Sequence, residues 1–321
     1  MPAADTKTDS FTHPARGWTG RVRGGVLGNW IFIALVRLCG LRAAYLLLAF
    51  VSPYYLLFAP AARRASVEYR QRLGCGRRSW LARLWGTYRH FFSFGQMLLD
   101  RVAILSGRAD AFHFELDGEE HIREALDEGN GAVVVSVHCG NWEAAAQLLR
   151  RFNVPVNVVA YQGETAPIRR LFEKADKARD FSLIEVGRSP DASIAIMAAL
   201  RRGEVVAMHA DRVTDDGGVL VPFLGAAARF PTGPFNVAAV SGAPLIHAFA
   251  MREGTYRYHF YAYPHEHLDF ARRKQRAGIL RASVRRFVKR LEEKLRQYPL
   301  QWNNFYPFWQ AGHDAEEGSL A

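Results

Sequence analysis

The sequence predicts an α/β fold, with a mostly parallel central sheet flanked by helices and an amino-terminal helical region that associates with a membrane. Three observations carry this reading. From residue 111 onward, short apolar runs alternate with segments of helical periodicity, the rhythm of repeated strand–helix–strand units. The segment Ala132–Val137, AVVVSV, is almost wholly apolar, as expected of a strand covered on both faces. Finally, Gly24–Val36 and Ala43–Ala62 carry no charge, and about twenty apolar residues suffice to span a bilayer as helix.

In chain order, residues 1–20 read as a disordered tail. Their polar start, with Asp5 and Asp9, does not suit a cleavable signal. Residues 21–110 form the membrane-anchoring and aromatic helical region. Pro53 is expected to break the second apolar run and Pro60 to end it. Arginines rim both sides, Arg21 and Arg23 before and Arg63 and Arg64 after. That favours a hairpin or kinked anchor with its flanks on the cytoplasmic face; a pair of buried core helices is the alternative. Ser79–Leu105 reads as a long helix capped by Ser79, whose aromatic side faces the main domain or lipid.

Residues 111–310 form the main domain, and 311–321 a second tail. Strands are expected at Phe112–Leu116, Ala132–Val137, Val156–Ala160, Leu183–Val186, Val205–Met208, Pro244–Met251 and Tyr256–Tyr263. Helices are expected at Gly118–Glu128, Asn141–Arg151, Ala166–Arg179, Ser189–Arg201, Thr232–Ser241 and Ala271–Tyr298.

The net charge of +11 over 321 residues points to a polyanionic partner. Anionic lipid, an acidic carrier protein and nucleic acid all fit the charge, but no nucleic-acid motif accompanies it, and nucleic acid is set aside. Nine basic residues crowd Arg272–Arg290; most are expected on a solvated face. The three cysteines, Cys39, Cys75 and Cys139, form no CxxC pair, which argues against a disulfide framework and for a reducing compartment. Cys39, inside an apolar stretch, is expected to be buried. Walker A, G-x-G-x-x-G and G-x-S-x-G motifs do not occur.

The chemistry centres on H-C-G-N-W-E. His138 follows an apolar strand, and catalytic groups of open α/β sheets gather at the carboxyl ends of strands. Gly140 permits a tight turn, Asn141 caps the next helix, and Glu143 falls in that helix's first turn. His138 then suits a general base and Glu143 the carboxylate that fixes its tautomer. The alternative is a pair that merely caps the helix. Cys139 is a weaker candidate nucleophile. His209, Asp211, His247, His265 and His267 could be assembled into a metal site, but no second pair stands at a diagnostic spacing, and no metal is expected.

The segment GAVVVSVHCGNWEAAAQLL resembles the catalytic motif of the lysophospholipid acyltransferase superfamily and, more narrowly, that of the lauroyl/myristoyl acyltransferases of lipid A biosynthesis. The similarity continues through RRGEVVAMHADRV and VPFLGAAARFPTGPFNVAAVSGAPLIHAFAMR. It implies a glycerolipid-acyltransferase-like fold and transfer of a fatty acyl chain from acyl carrier protein or acyl-CoA to a hydroxyl of a membrane glycolipid such as a lipid A precursor. No cofactor is implied. It further implies His138 and Glu143 as catalytic residues, with Asn141, Lys177, Arg179, Asp211, Arg212, Gly225 and Thr232 around the substrate. Oxyanion donors would be backbone amides near Gly140–Asn141 or a basic side chain such as Lys177. The implied location is a bacterial inner membrane, with the main domain on the cytoplasmic side. Where those enzymes carry an arginine in the helix after the second strand, this chain offers Lys177, with Arg179 two residues on. Its carboxyl-terminal QWNNFYPFW looks more like members associated with aryl-polyene pathways. Another lipid or an aryl-polyene-type head group, or a noncatalytic lipid-binding relative, is the alternative reading.

Overall fold

The computed structural model describes residues 26–75, 79–161, 181–186, 191–213, 218–270 and 275–309. The expected helix Ala166–Arg179, with Lys177 and Arg179, and both expected tails lie outside them.

Two helices, α1 (Val26–Cys39) and α2 (Leu41–Phe58), meet at Gly40. Its φ of +83° is cheap only for glycine and lets one residue separate the two helices. The expectation that Pro53 breaks the run is corrected: α2 continues through it to Phe58. Proline cannot donate to the carbonyl four residues back, that of Ala49. The Tyr88 hydroxyl donates to that oxygen instead, at 3.4 Å. Helix α3 (Pro60–Arg72) then starts at Pro60, a favourable first helical position. Helix α4 (Trp80–Ala103) packs along α1, α2 and α3. Ser79 sits at its N-cap position but makes no side-chain capping bond. Cys39 is exposed, contrary to expectation.

A seven-stranded sheet follows, ordered β1-β9-β8-β2-β5-β3-β4. The strands are β1 (His113–Asp117), β2 (Ala132–Ser136), β3 (Val156–Tyr161), β4 (Phe181–Val186), β5 (Val205–His209), β8 (Leu245–Gly254) and β9 (Arg257–Ala262). Every pairing is parallel except β8–β9. The helices between them are α5 (Glu119–Asp127), α6 (Trp142–Leu149), α7 (Asp191–Arg201), α8 (Gly233–Ser241) and α9 (Arg276–Gln297). Strand β2 is covered on both faces, as AVVVSV requires. Val133 and Val135 join the core under α7, α8 and α9, while Val134 faces the opposite side with Ile122, Leu149 and Val158.

One element escaped the sequence reading. VPFLGAAARF forms a two-stranded ribbon, β6 (Val219–Phe223) and β7 (Ala226–Phe230), closed by Leu224 and Gly225 with φ of +48° and +80°. Positive φ at both turn positions is the two-residue hairpin geometry that favours glycine. The Leu224 N–H donates to the Glu292 carboxylate of α9 at 2.6 Å, tying the ribbon down.

The helical region and the sheet share a core in which Val36, Leu41 and Leu99 meet Phe112, Tyr258 and Phe260. A buried polar tie reinforces the junction. Asp100 of α4 accepts from Arg252 at 2.9 Å, from Tyr258 at 2.7 Å and from Tyr45 of α2. Gln301 brackets the same arginine, exchanging hydrogen bonds with its backbone at 2.6 and 2.8 Å.

Candidate active site

Strand register brings the first two functional groups together. Strands β2 and β5 are parallel neighbours, with Ser136 opposite His209. Two residues further along each strand stand His138 and Asp211, so an imidazole and a carboxylate distant in sequence leave the sheet side by side. His138 Nδ1 lies 2.7 Å from Asp211 Oδ1, and the His138 backbone N–H donates to Oδ2 at 3.0 Å.

Asp211 is buried. Burial alone would raise its pKa, but the charge and hydrogen bond of His138, with Arg212 beside them, hold the carboxyl well below the usual range. An ionised carboxylate only accepts, so Nδ1–H is the donor, and in the neutral ring the lone pair lies on Nε2. The His138 side chain is 30% exposed, enough for a substrate to reach it.

The orienting carboxylate on Nδ1 is therefore Asp211, a role the sequence reading gave to Glu143. One ring nitrogen makes one strong in-plane bond, and Asp211 occupies it. Glu143 is the second residue of α6; its side chain lies outside the described residues. Asn141 does cap α6: its Oδ1 accepts from the Ala144 N–H at 3.3 Å. Gly140 has φ of +57°, and a Cβ there would come within 1.4 Å of the Ala250 carbonyl oxygen, so only glycine lets this loop lie against β8.

The segment 301–309 closes the site from behind, which the sequence reading missed. Trp302 is fully buried and donates its indole N–H to Asp211 Oδ2 at 3.1 Å. Its backbone forms a bridge with Cys139, and the Asn303 N–H donates to the His138 carbonyl at 2.8 Å. The Tyr306 hydroxyl donates to the Asp211 carbonyl at 3.3 Å. On the far side, His90 of α4 bonds the Trp302 carbonyl at 3.0 Å and the Ser66 hydroxyl at 2.9 Å. Burial holds the pKa of His90 down to about 4. The aromatic run QWNNFYPFW was the only sequence signal for this wall.

His209 packs against His138 with ring centroids 4.2 Å apart. Burial, then the neighbouring His138, lower its pKa to about 3. It also lines a cavity of about 60 Å³ between the sheet and α6, with Val134, Val158, Leu149 and Phe260. Cys139 borders the same space, but burial, then the charge of Asp211, push its thiol pKa far up, which suits an inert residue rather than a nucleophile.

The remaining expectations separate from this centre. Gly225 turns the β6–β7 ribbon, and Thr232 precedes α8 without a side-chain capping bond; among the described residues no hydrogen bond joins either to His138 or Asp211. The candidate metal residues divide into separate groups: His209 and Asp211 stay beside His138, His247 pairs with Glu266 and Arg290, and His265 and His267 converge on Glu128 with ligand atoms within 4.8 Å of one another.

The sequence profile of the bacterial lipid A biosynthesis acyltransferases matches residues 89–311. Two relatives are named phosphatidylinositol mannoside acyltransferase. That of Mycolicibacterium smegmatis is 28% identical over 194 residues, covering 60% of this chain and 61% of its own length. That of Mycobacterium tuberculosis is 27% identical over 198 residues, covering 61% and 60%. The match thus spans about three fifths of these relatives. Among solved structures, the 1-acyl-sn-glycerophosphate acyltransferase PlsC of Thermotoga maritima aligns with a TM-score of 0.36 and 15% identity, over 78% of this chain and 97% of its own.

Proposed function

We propose that this chain, which belongs to the bacterial lipid A biosynthesis acyltransferase family, transfers a fatty acyl chain from a thioester donor to a hydroxyl of a membrane glycolipid. The observation that carries the reading is the His138–Asp211 pair at the carboxyl ends of β2 and β5. Asp211 fixes the tautomer that leaves Nε2 free, and its charge stabilises the imidazolium formed when His138 takes the acceptor's proton. General-base help of this kind contributes roughly 10²–10⁴ in rate. The alkoxide then attacks the thioester carbonyl directly, with no acyl-enzyme. Lys177, Arg179 and Arg212 are assigned to binding the donor's or acceptor's anionic groups.

A lipid-borne sugar hydroxyl is the acceptor class shared by the family's name and by the names of the two mycobacterial relatives. Lipid A precursors are the leading instance. The donor is acyl carrier protein or acyl-CoA; both are polyanions and suit the net charge of +11.

The membrane is met by α1, α2 and the start of α4. Helix α2 is long and apolar enough by composition to cross a bilayer, with one third of it buried in the protein. Its outward residues Phe50, Leu57 and Phe58 are exposed, as are Trp30, Trp80 and Trp85. Because the other face of α2 packs on α4, with Tyr45 tied to Asp100, the helix suits a bilayer surface better than an independent span. We place the protein at a bacterial inner membrane, with the sheet domain on the cytoplasmic side.

The test incubates the purified protein, and its His138→Ala variant, with labelled acyl carrier protein or acyl-CoA and a bacterial membrane-lipid extract. Mass spectrometry should identify an acylated glycolipid formed by the first protein alone. Equal product from both would remove His138 from the mechanism.

A further inference from the structure

We propose that His209 is the oxyanion donor of this site: its imidazole N–H binds the thioester carbonyl oxygen as negative charge develops there. The inference rests on the acyl-transfer reading above, with His138 as base.

Three observations lead to it. The first concerns the donors the turn was expected to supply. The His138 N–H donates to Asp211, the Cys139 N–H to the Val137 carbonyl at 2.7 Å, and the Gly140 N–H to the Gln301 carbonyl at 3.4 Å. These three successive amides are thus turned toward the protein and are not aimed at an oxyanion. The second is position. His209 faces the His138 ring at 4.2 Å between centroids and also lines the apolar cavity beside it. An acyl carbonyl brought to a hydroxyl held at His138 would stand next to the His209 ring. The third is availability: among the described residues, nothing hydrogen-bonds the His209 imidazole, although the structure satisfies both nitrogens of His90.

Its depressed pKa supports this role. A neutral imidazole carries one N–H to donate and adds no second charge beside the His138 imidazolium. His138 Nε2 takes the acceptor's proton, the acceptor oxygen bonds to the carbonyl carbon, and the C=O π pair moves onto oxygen, where the His209 N–H meets it. On collapse the C=O re-forms, the C–S bond breaks, and the thiolate takes the proton from His138. His209 keeps its own proton throughout.

Two substitutions separate donation from packing. His209→Phe keeps an aromatic ring against His138 and removes the donor; His209→Gln keeps an N–H and removes the ring. The expected result is a loss of about 10²- to 10³-fold in kcat for His209→Phe, with KM within about twofold, and activity within about tenfold of the parent for His209→Gln. Full activity in His209→Phe overturns the proposal, as does equal loss in both. A measurement on the unsubstituted protein guards against misfolded variants. A ketone analogue of acyl-CoA, with CH2 in place of sulfur, should move the His209 imidazole N–H resonance; an unmoved resonance overturns the proposal. If His138→Ala is inactive while His209→Phe is not, only this inference fails. If His138→Ala retains activity, the acyl-transfer mechanism fails first.

Discussion

Trp302 and Asp211 are joined by an indole N–H bond of 3.1 Å to a carboxylate that is itself the partner of His138. The carboxylate oxygen that accepts from the indole also accepts from the His138 backbone, so one buried anion organises both His138 and the wall behind it.

Replacing Trp302 with Phe keeps the ring and removes that donor. Hydrogen bonds to charged groups contribute about 1.5–3 kcal/mol, so urea unfolding should report a loss in that range. Because Asp211 retains both bonds to His138, kcat should fall only about tenfold.

Asp211→Asn should be more severe for activity than for stability. An amide can present an N–H to Nδ1 and so favour the wrong tautomer, and loss of the negative charge no longer supports the imidazolium. The comparable change in a serine-protease triad costs about 10⁴ in kcat; a fall of roughly 10³ to 10⁴ is expected here, read by steady-state kinetics. Retention of more than a tenth of the activity would contradict the role given to Asp211.

Acid should loosen the protein through His90. Its pKa falls from 6.5 to about 4 on folding, so the unfolded chain binds a proton between those values that the native state refuses. Stability is complete above about pH 6.5 and is lost as pH falls toward 4, by about 3 kcal/mol at 1.36 kcal/mol per unit. His209 shifts the same way, and being more accessible adds less. Denaturant midpoints measured from pH 7.5 to 4 should decline below 6.5, and His90→Gln should flatten roughly half of that decline.

Arg252→Met leaves Asp100 buried without its countercharge. Breaking such a pair from one side costs about 3–5 kcal/mol. The expected outcome is a large drop in melting temperature, with Asp100→Asn in the same chain recovering part of it. An unchanged melting temperature would mean that the junction between α4 and β8 does not depend on the pair.

The outward tryptophans should report membrane contact. Burying a large apolar side chain contributes about 1.5–3 kcal/mol, so Trp80→Ser and Trp85→Ser should each weaken binding to anionic lipid vesicles about tenfold in co-sedimentation. Thermal stability should change little, since both residues are exposed.

The strands and helices of the sheet domain were legible because their periods are strong, and the end of β2 marked His138 without any structure. What sequence proximity could not give was the partner of its ring. Glu143 is five residues away, whereas Asp211 lies 73 residues on and arrives through parallel pairing of β2 with β5. Two other misses have local causes. Pro53 reads as a break until Tyr88 from α4 fills the carbonyl it abandons. The β6–β7 ribbon is hidden by Pro222 and three alanines, residues of weak strand preference, and becomes visible only where Leu224 is held by Glu292. Trp302 sits in a run whose aromatic character was plain but whose destination was not.

The position of Trp302 also sets an order of events during synthesis. Helices α1 and α2 leave the ribosome before the sheet domain, and the residues that complete the pocket around Asp211 are made more than two hundred positions later. At about 5–20 residues per second, the nascent chain carries its greasy end exposed for some tens of seconds before any competent centre exists. On the proposed function, the polypeptide would meet lipid while still inert and begin turnover only after it has arrived.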